Sequence, residues 1–297
     1  MLLDVRAIGI NFPDLLATQG HYQHKPELPF VPGCEIAGVI RAAPPGSGWR
    51  PGERAAAFVW QGGYAEVASV PSHALMAVPE AMDLGAAAAM VVNYQTVLFA
   101  LDRRGRLEAG EVVLVLGAGG GIGTAALQVA RGLEAGMTIG GVANEDQVAT
   151  ARAAGADEVI VIKEGFAAQL KEMTGGRGVD LILDPLGDWI FDEALRALAP
   201  EGRILIIGFA AGDIPSVKLN RLLLRNAAAV GVLWGSFIEL EPTLVRSAGE
   251  RLAAMVERGA VRPQIGARYS FEEIPDALER LQAGQIRGKA IAELGAD

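Results

Sequence analysis

The stretch Val112-Val113-Leu114-Val115-Leu116-Gly117-Ala118-Gly119-Gly120-Gly121-Ile122-Gly123 decides the fold of this chain. Its five apolar residues predict a buried strand, and the glycines predict a tight turn. Ile122, Ala126, Val129 and Leu133 follow at spacings of four, three and four, which is one face of a helix. A turn of this kind offers free backbone N–H groups and the positive end of a helix dipole to a diphosphate. The stretch therefore predicts a dinucleotide site with these backbone contacts: Gly117, Gly120, Gly121, Ile122 and Gly123.

Downstream of Glu111, apolar strand-like runs alternate with helical patterns. Six such runs separated by helices predict a doubly wound parallel sheet. The runs are Val112 to Leu116, Met137 to Val142, Glu158 to Ile162, Val179 to Asp184, Arg203 to Gly208 and Ala228 to Leu233. The glycine-rich segment from Gly136 to Gly141 is expected to weaken the second strand, because glycine contributes no side chain to pack.

The first 90 residues have a different character. Short apolar runs, such as Val5 to Ile10 and Ala65 to Val70, lie between proline and glycine turn signals. This pattern predicts the strands of a small barrel. The alanine-rich stretch from Leu84 to Leu101 predicts a helix that leads into the second domain. A second helix is predicted around Ser247 to Arg258, and a terminal strand at Ala290 to Leu294.

Composition narrows the possible partners and location. The 297 residues are enough for two domains. A net charge of -9 argues against nucleic-acid binding, which needs a clustered basic face. The single cysteine, Cys34, cannot form an internal disulfide, and the start of the chain has no signal-peptide layout, so we expect a cytoplasmic protein. The apolar runs are too short to span a bilayer, and no membrane contact is expected.

Cofactor preference is determined near the end of the second strand of the parallel sheet. An acid about 20 residues after the glycines would bind the ribose hydroxyls of NAD. Val142 and Ala143 occupy that place, and Asn144 and Gln147 follow as candidate contacts to the adenosine end. Without a carboxylate there, a 2′-phosphate is tolerated, which favours NADPH. A neutral site could also accept NADH, and that alternative stays open.

The chain resembles the zinc-independent quinone oxidoreductase branch of the medium-chain dehydrogenase/reductase family. The motifs that carry the resemblance are Ala7 to Asp14, Pro29 to Glu35, Gly62 to Glu66, Gly117 to Gly123, Asp184 to Gly187 and Gly202 to Phe209. The resemblance implies an α/β fold in which a GroES-like β-barrel catalytic domain, residues 1–96 and 235–297, is interrupted by a Rossmann domain, residues 97–234. It also implies a cofactor in the cleft between the domains, and a homodimer. By the same resemblance, the chain starts on the order of 30 residues, two or three short strands with their turns, later than the family pattern.

The family pattern also implies roles for individual residues. Asn11 would lie near the nicotinamide and its ribose, Thr96 near the hinge, and Gly208 and Phe209 beside the nicotinamide. Gln147 stands where NADPH-using relatives often have a lysine. The basic residues that could replace that lysine at the 2′-phosphate are Arg152, Lys163, Arg287 and Lys289.

The sequence predicts no metal site. A catalytic zinc needs three protein ligands, and a structural zinc is usually held by four cysteines or a mixture of cysteines and histidines. Cys34 falls where zinc-dependent relatives have a ligand histidine, and Glu35 follows it, but one thiol and one carboxylate are too few. His21 and His24 flank a predicted loop with no further ligands near them in sequence.

These features together predict hydride transfer from NADPH to a small conjugated acceptor such as a quinone. The protein would contribute position and exclusion of water, with Asn11 orienting the cofactor or the acceptor oxygen and Tyr64 as a flat contact. A first alternative is an enoyl or 2-alkenal reductase in which Tyr22 donates the proton. A second is a protein that binds NADPH without turnover.

Overall fold

The structure, a computed structural model, describes residues 1–295. Its strands in chain order are β1 (Leu2–Ile10), β2 (Glu35–Ala42), β3 (Arg54–Phe58), β4 (Val67–Ser69), β5 (Leu75–Ala77), β6 (Val112–Leu116), β7 (Met137–Val142), β8 (Glu158–Val161), β9 (Val179–Asp184), β10 (Leu198–Ile206), β11 (Ala228–Gly231), β12 (Ile265–Ser270) and β13 (Lys289–Glu293).

The α-helices are α1 (Phe12–Thr18), α2 (Leu84–Leu98), α3 (Gly121–Gly132), α4 (Val148–Ala153), α5 (Phe166–Met173), α6 (Asp188–Ala197), α7 (Asn220–Leu223), α8 (Trp234–Ile238), α9 (Leu244–Glu257) and α10 (Ile274–Gln282). Short 3₁₀ turns lie at Ser72–Ala74, Glu145–Gln147 and Phe271–Glu273.

The chain divides into two compact units. Unit 1 contains Met1–Gln95, Gly235–Glu257 and the chain from Pro263 onward. Unit 2 contains Thr96–Trp234 and Arg258–Arg262. The second passage of the chain through unit 1 begins close to the predicted boundary at residue 235, and five residues after α9 return to unit 2.

Unit 1 is built on a sheet with the strand order β12-β13-β1-β2-β3-β5, in which β4 also pairs with β1. The long strand β1 joins the parts of this sheet. Its N-terminal end pairs with both β2 and β4, and its C-terminal end pairs with β2 and β13. Inward side chains of these strands, among them Leu3, Val5, Ile36 and Leu75, form the hydrophobic core with α10. This is the GroES-like domain that the motifs predict.

Unit 2 is a six-stranded sheet with the order β11-β10-β9-β6-β7-β8. All of its pairings are parallel. Counted within the unit this is the order 6-5-4-1-2-3, the doubly wound Rossmann arrangement, with its switch point between β6 and β9. Ligands of such sheets bind outside the carboxyl ends of the strands at the switch point. The predicted glycine turn lies at that edge, directly after β6.

Several predicted boundaries differ from the structure. The helix predicted to run to Leu101 is α-helical only to Leu98 and continues as one π-helical stretch, Phe99–Arg104. The strand predicted at Ala65 to Val70 is reduced to the three residues of β4.

The glycine-rich strand β7 forms over its full predicted length. A Cβ added at Gly140 would lie 3.1 to 3.4 Å from the Cβ atoms of Ala118, Ala151 and Ala156. Glycine at this position therefore lets the neighbouring backbone pack tightly against the strand, and this close approach offsets the missing side chain.

One helix in the described part of the chain is long and apolar enough to cross a membrane. It runs from Leu84 to Arg104, and 83% of its most apolar window is buried inside the protein. Core helices of folded domains pass the same test of length and composition. The sequence predicts this helix, but the expectation about membrane spans considered only shorter apolar runs.

Candidate functional site

The glycine turn of unit 2 exposes backbone donors at the start of α3. Gly120 is the N-cap in an extended conformation, and the first helical bond runs from the Thr124 N–H to the Gly120 carbonyl at 2.9 Å. The N–H groups of Gly121 and Ile122 therefore have no acceptor within the helix, and both residues are only half-buried. The turn supplies N–H donors and a positive helix end to an anion.

Gly123 holds this turn closed. A Cβ at Gly123 would lie 2.1 Å from the Gly117 carbonyl oxygen, so only glycine permits the backbone to pass this close. At Gly120, by contrast, the nearest atom to an added Cβ is that same carbonyl oxygen at 3.5 Å. The turn is therefore closely packed at Gly123 and open at Gly120, and a diphosphate would lie on the open side.

The neighbouring strand across the switch point ends in a buried carboxylate. Asp184 Oδ1 accepts the N–H groups of Leu186 and Gly187 at 2.8 and 3.0 Å. Its other oxygen has no hydrogen-bond partner, and burial raises the pKa of this carboxyl. Gly208 and Phe209 follow the next strand, β10, and the Phe209 ring packs beside Gly187 with 37% of the residue exposed. This ring is available to a ligand at the carboxyl edge of the sheet.

The structure also places Gln147 against the glycine turn. The Gln147 Oε1 atom accepts the N–H of Ala143 at 3.1 Å. A Cβ added at Gly119 would lie 2.9 Å from Gln147 Cβ, so the side chain covers that part of the turn. Asn144 is exposed, and its side chain caps no helix. Both residues follow the carboxyl end of β7, and Gln147 lies beside the turn.

Unit 1 contains a buried polar cluster that we call the lysine cluster. Its members are Asn11, Asp14, Cys34, Glu35, Tyr64, Asn93 and Lys289. The Lys289 Nζ atom lies 2.5 Å from Glu35 Oε2 and 2.5 Å from Asn11 Oδ1, with Asn93 Oδ1 at 3.5 Å. Glu35 is 0% exposed and Lys289 4%. Glu35 accepts two further bonds, from the Val92 N–H at 2.6 Å and from the Asn11 amide. The charges of this ion pair are matched, and its polar atoms are hydrogen-bonded.

The hydrogen bonds of Asn11 define what it can offer to a ligand. Its Nδ2 group donates to Glu35 Oε2 at 2.9 Å and to the Gly9 carbonyl at 3.1 Å, so both amide hydrogens are used. Its Oδ1 atom accepts from Lys289. Asn11 therefore has no amide hydrogen left to donate to a carbonyl oxygen of a ligand.

Asp14 connects Asn11 and Tyr64 within the cluster. Its Oδ2 atom accepts the Asn11 N–H at 2.9 Å and the Tyr64 hydroxyl at 3.0 Å. Burial raises the pKa of Asp14 to about 6, although hydrogen bonds from Cys34 and Tyr64 and the charge of Lys289 act in the opposite direction.

Burial also raises the pKa of Tyr64 and Cys34 well above their usual ranges, and the charge of Asp14 acts in the same direction. Burial, with the charges of Cys34 and Asp14, raises the pKa of Tyr22 to about 12. Both phenols and the thiol are therefore neutral at pH 7.

The predicted catalytic residues Asn11, Tyr22 and Tyr64 lie around Asp14, and Thr96 lies elsewhere. Asn11 and Tyr64 both contact Asp14, and Tyr22 lies within electrostatic reach of it. Thr96 is half-buried in α2. Nothing in unit 2 places it at the glycine turn.

The prediction for Lys289 is wrong in one respect. It was expected as a basic side chain for a 2′-phosphate, but its ammonium is buried, and its three donors point to Glu35, Asn11 and Asn93. A side chain whose hydrogens are all used inside unit 1 is not free to bind a phosphate.

Sequence reasoning missed Asp14 and Asn93 and assigned no function to Glu35. A signal was present for the two acids. Asp14 stands three residues after Asn11, the spacing at which an acid caps the start of a helix. Glu35 is a carboxylate at the start of an apolar strand, and a buried acid requires a partner. No local signal indicated Asn93, which lies within an apolar helix.

Within residues 1–295, no three histidine, cysteine, aspartate or glutamate side chains are grouped so that they could hold a metal ion. At the place where zinc-dependent relatives have a ligand histidine, Cys34 is buried beside Asp14, and the Lys289 ammonium bonds to the neighbouring Glu35.

Two family models match the chain. The alcohol dehydrogenase GroES-like domain matches residues 1–80, and the zinc-binding dehydrogenase family matches residues 121–249. The first match covers the sheet of unit 1 from β1 to β5. The second begins at the first residue of α3 and extends into α9.

Individual relatives match over nearly the whole chain. Quinone oxidoreductase-like protein 2 of Bos taurus is 36% identical over 295 residues, which cover 98% of this chain and 84% of that protein. The structure of a probable oxidoreductase from Mycobacterium abscessus superposes with a TM-score of 0.90 at 44% identity, covering 99% of this chain and 89% of that one. The quinone oxidoreductase of Thermus thermophilus, solved alone and in complex with NADPH, superposes with a TM-score of 0.85 at 34% identity, covering 99% and 91%. With both domain types present and relatives aligned over nearly the whole of this chain, the chain belongs to the medium-chain dehydrogenase/reductase family, among its quinone oxidoreductase-like members.

Proposed function

We propose that this protein is an NADPH-dependent oxidoreductase that reduces a quinone or a similar conjugated acceptor without zinc. The observation that carries the proposal is the position of the Lys289 ammonium, which bonds to Asn11 and Glu35 beside Cys34. The ammonium supplies a protein-borne positive charge here, which supports hydride transfer without a metal that polarises an alcohol or a carbonyl. Acceptors that are already electrophilic fit such a site.

The residues of unit 2 fit the cofactor. The N–H groups of Gly121 and Ile122 would hold the diphosphate, with Gly208 and Phe209 beside the nicotinamide and Gln147 toward the adenosine. NADPH supplies the hydride when bound. The relative from Thermus thermophilus forms a complex with NADPH, which supports the choice of cofactor.

NADPH and NADH differ only at the 2′-phosphate, so the residues after β7 determine the preference. Val142 and Ala143 present no carboxylate there. Glu145 and Asp146, two and three residues further on, are exposed. If NADH is oxidised faster than NADPH, these two acids are the residues to replace first.

The lysine cluster would act on the acceptor side. Both amide hydrogens of Asn11 are already used, so we propose that Asn11 does not donate a hydrogen bond to the acceptor carbonyl. Tyr64, held by Asp14, would keep a neutral hydroxyl near the acceptor. Reduction of a quinone consumes one hydride and one proton, and neutral phenols can provide that proton.

The proposal is tested by following the consumption of reduced nicotinamide. Purified protein is given NADPH or NADH with 1,4-benzoquinone in one series and a 2-alkenal in another. We expect faster oxidation with the quinone and with NADPH. Faster reduction of the 2-alkenal would replace the quinone assignment. Cofactor binding without consumption in either series would show the non-catalytic alternative to be the right one.

A second activity, reduction of enoyl or 2-alkenal substrates, is favoured by one observation. Tyr22 is partly buried and its phenol stays neutral, as a proton donor to the α-carbon must be. Tyr22→Phe should abolish 2-alkenal reduction and leave quinone reduction nearly unchanged. Tyr269→Phe is the matched control, because Tyr269 also packs partly buried against the core of unit 1. Equal loss of both activities in Tyr22→Phe would rule out a specific role in protonation.

We also propose that the protein is a homodimer that pairs through β11. This strand is at the edge of the unit 2 sheet and reads Ala228-Ala229-Val230-Gly231. Edge strands of monomers are usually protected by charges, proline or a bulge, and β11 has no charged residue or proline. Exposed leucines lie next to it in the chain, with Leu219 and Leu223 each 75% exposed. Antiparallel pairing of two copies would cover the edge.

A further inference from the structure

Unit 2 has a cavity of about 510 Å³ on the side of α6. It is lined by Asp192, Leu195, Arg196, Ser216, Lys218, Arg221, Leu224 and Arg225. Ser216 and Lys218 lie in the loop that follows β10, as Gly208 and Phe209 do, but none of the lining residues is one that we propose to hold the cofactor. Its volume lies within the range of small-molecule sites, roughly 300 to 1,000 Å³.

One wall of the cavity is α6 and the other is the segment that contains α7, and the Arg221 guanidinium joins them. Asp192, Leu195 and Arg196 lie on one face of α6, three and four residues apart. The Arg221 side chain, from α7, donates to Asp192 Oδ1 at 2.5 Å and to the Asp192 carbonyl at 3.0 Å. These two hydrogen bonds hold α7 against α6.

The charges around the cavity do not balance. Asp192 is paired with Arg221, and Arg196 is paired with Glu193 on its own helix. Lys218 and Arg225 complete the lining, and no carboxylate within residues 1–295 lies within ion-pair distance of either. Arg225 makes one side-chain bond, from Nη1 to the Leu198 carbonyl at 2.8 Å, which leaves its other donors free.

The chain as a whole carries a net charge of -9, so these two free cations are not part of a generally basic surface. Two positive side chains beside one cavity match the charge of a phosphate dianion, and guanidinium and ammonium groups are the usual partners of phosphate oxygens. The Ser216 hydroxyl is a further donor on the same lining. Leu224, which is 80% exposed, provides apolar surface for an organic group.

We propose that this cavity binds the phosphate of a small phosphate monoester through Lys218, Arg225 and Ser216. The same chemistry would accept free phosphate, and the organic part of an ester distinguishes the two. The site lies outside the machinery proposed for hydride transfer and stands or falls independently of that function.

The experiment is isothermal titration of the full-length protein at constant ionic strength, with the dinucleotide site saturated by NADPH. The probes are glucose 6-phosphate, inorganic phosphate and glucose. We expect glucose 6-phosphate to bind and glucose not to bind. Equal affinity for inorganic phosphate and glucose 6-phosphate would assign the cavity to the free ion.

Two variants locate the site. Lys218→Gln changes an exposed residue and should weaken glucose 6-phosphate binding about tenfold, because a hydrogen bond to a charged group is lost. Lys218→Gln with Arg225→Gln should abolish binding. Lys171→Gln, in α5 outside the cavity, is the control and should bind like the unaltered protein. Absence of phosphate-dependent heat in the unaltered protein, or full binding in Lys218→Gln, would overturn the proposal.

Discussion

Replacing Lys289 with methionine is the sharpest test of how unit 1 is held together. Methionine keeps most of the length and apolar stem of lysine but removes the ammonium. Glu35, which is 0% exposed, would keep its bonds from the Val92 N–H and the Asn11 amide but lose its only ion-pair partner among the described residues. The result is a buried carboxylate with an uncompensated charge.

Removing one partner of a buried ion pair costs about 3 to 5 kcal/mol, much more than the pair contributes over an apolar replacement. For a folding unit of roughly 150 residues, each kcal/mol lowers Tm by about 2 to 4 °C. Lys289→Met should therefore lower the Tm of unit 1 by about 6 to 20 °C. Glu35→Gln in the same chain removes the unpaired charge, so the double variant should recover more than half of this loss.

The measurement is a thermal melt of the two single variants and the double variant, with hydrogen exchange in peptides from β1 to assign the change to unit 1. Arg41→Met is the control. It breaks the ion pair between Arg41 and Asp4 in the same sheet, but Arg41 is 55% exposed, so the expected loss is below about 1 kcal/mol. If the double variant were destabilised by the sum of the two single changes, the buried charge would not be the cause.

Three further outcomes are expected. Gly123→Ala should abolish NADPH binding in a fluorescence titration, because the added methyl would lie 2.1 Å from the Gly117 oxygen. The control Gly231→Ala should bind NADPH normally, because an added Cβ there meets no described atom within 4 Å. Burial raises the pKa of Asp14 from 3.8 to about 6 in the folded protein, so the folded state takes up a proton in that window before the unfolded chain does. The contribution of Asp14 to the free energy of unfolding should therefore rise by about 3 kcal/mol as the pH falls from above 6 to below 4. Urea titrations across this pH range should show that Asp14→Asn removes the rise. An unchanged pH profile in Asp14→Asn would contradict the prediction. Val230→Lys places a charge on the β11 edge and should convert a dimer to a monomer in light scattering after size exclusion, and a dimer that persists would place the interface elsewhere.

The fold could be predicted from the sequence wherever residue periodicity carried the information. In unit 2, β6, β7 and β9 have the predicted bounds, because buried parallel strands are continuous apolar runs. The start of β10 could not be predicted in this way. The strand begins at Leu198, which pairs with Val179, but Pro200 and Gly202 make this segment look like a turn.

The dinucleotide turn could be predicted because all of its parts are adjacent in sequence. The lysine cluster could not, because its parts are far apart. Lys289 bonds to Asn11 across 278 positions of the chain, and its surroundings in sequence, Gly288 and Ala290, give no indication of a buried partner. A basic residue with no local partner resembles solvated surface, and only the pairing of β1 with β13 brings it to Glu35.

That pairing also has a consequence for biosynthesis. Among the described strands, β1 is made first and waits for β13, which is made last, whereas every strand of unit 2 has been synthesised by Gly231. Domains generally fold as units during synthesis, and contacts distant in sequence form slowly. Unit 2 can therefore fold on the ribosome while β1 still lacks its partner and Glu35 its counter-charge. Unit 1 can close only once β13 has been made, and a nascent protein halted before Lys289 would expose an unpaired strand edge to the chaperones of the cell.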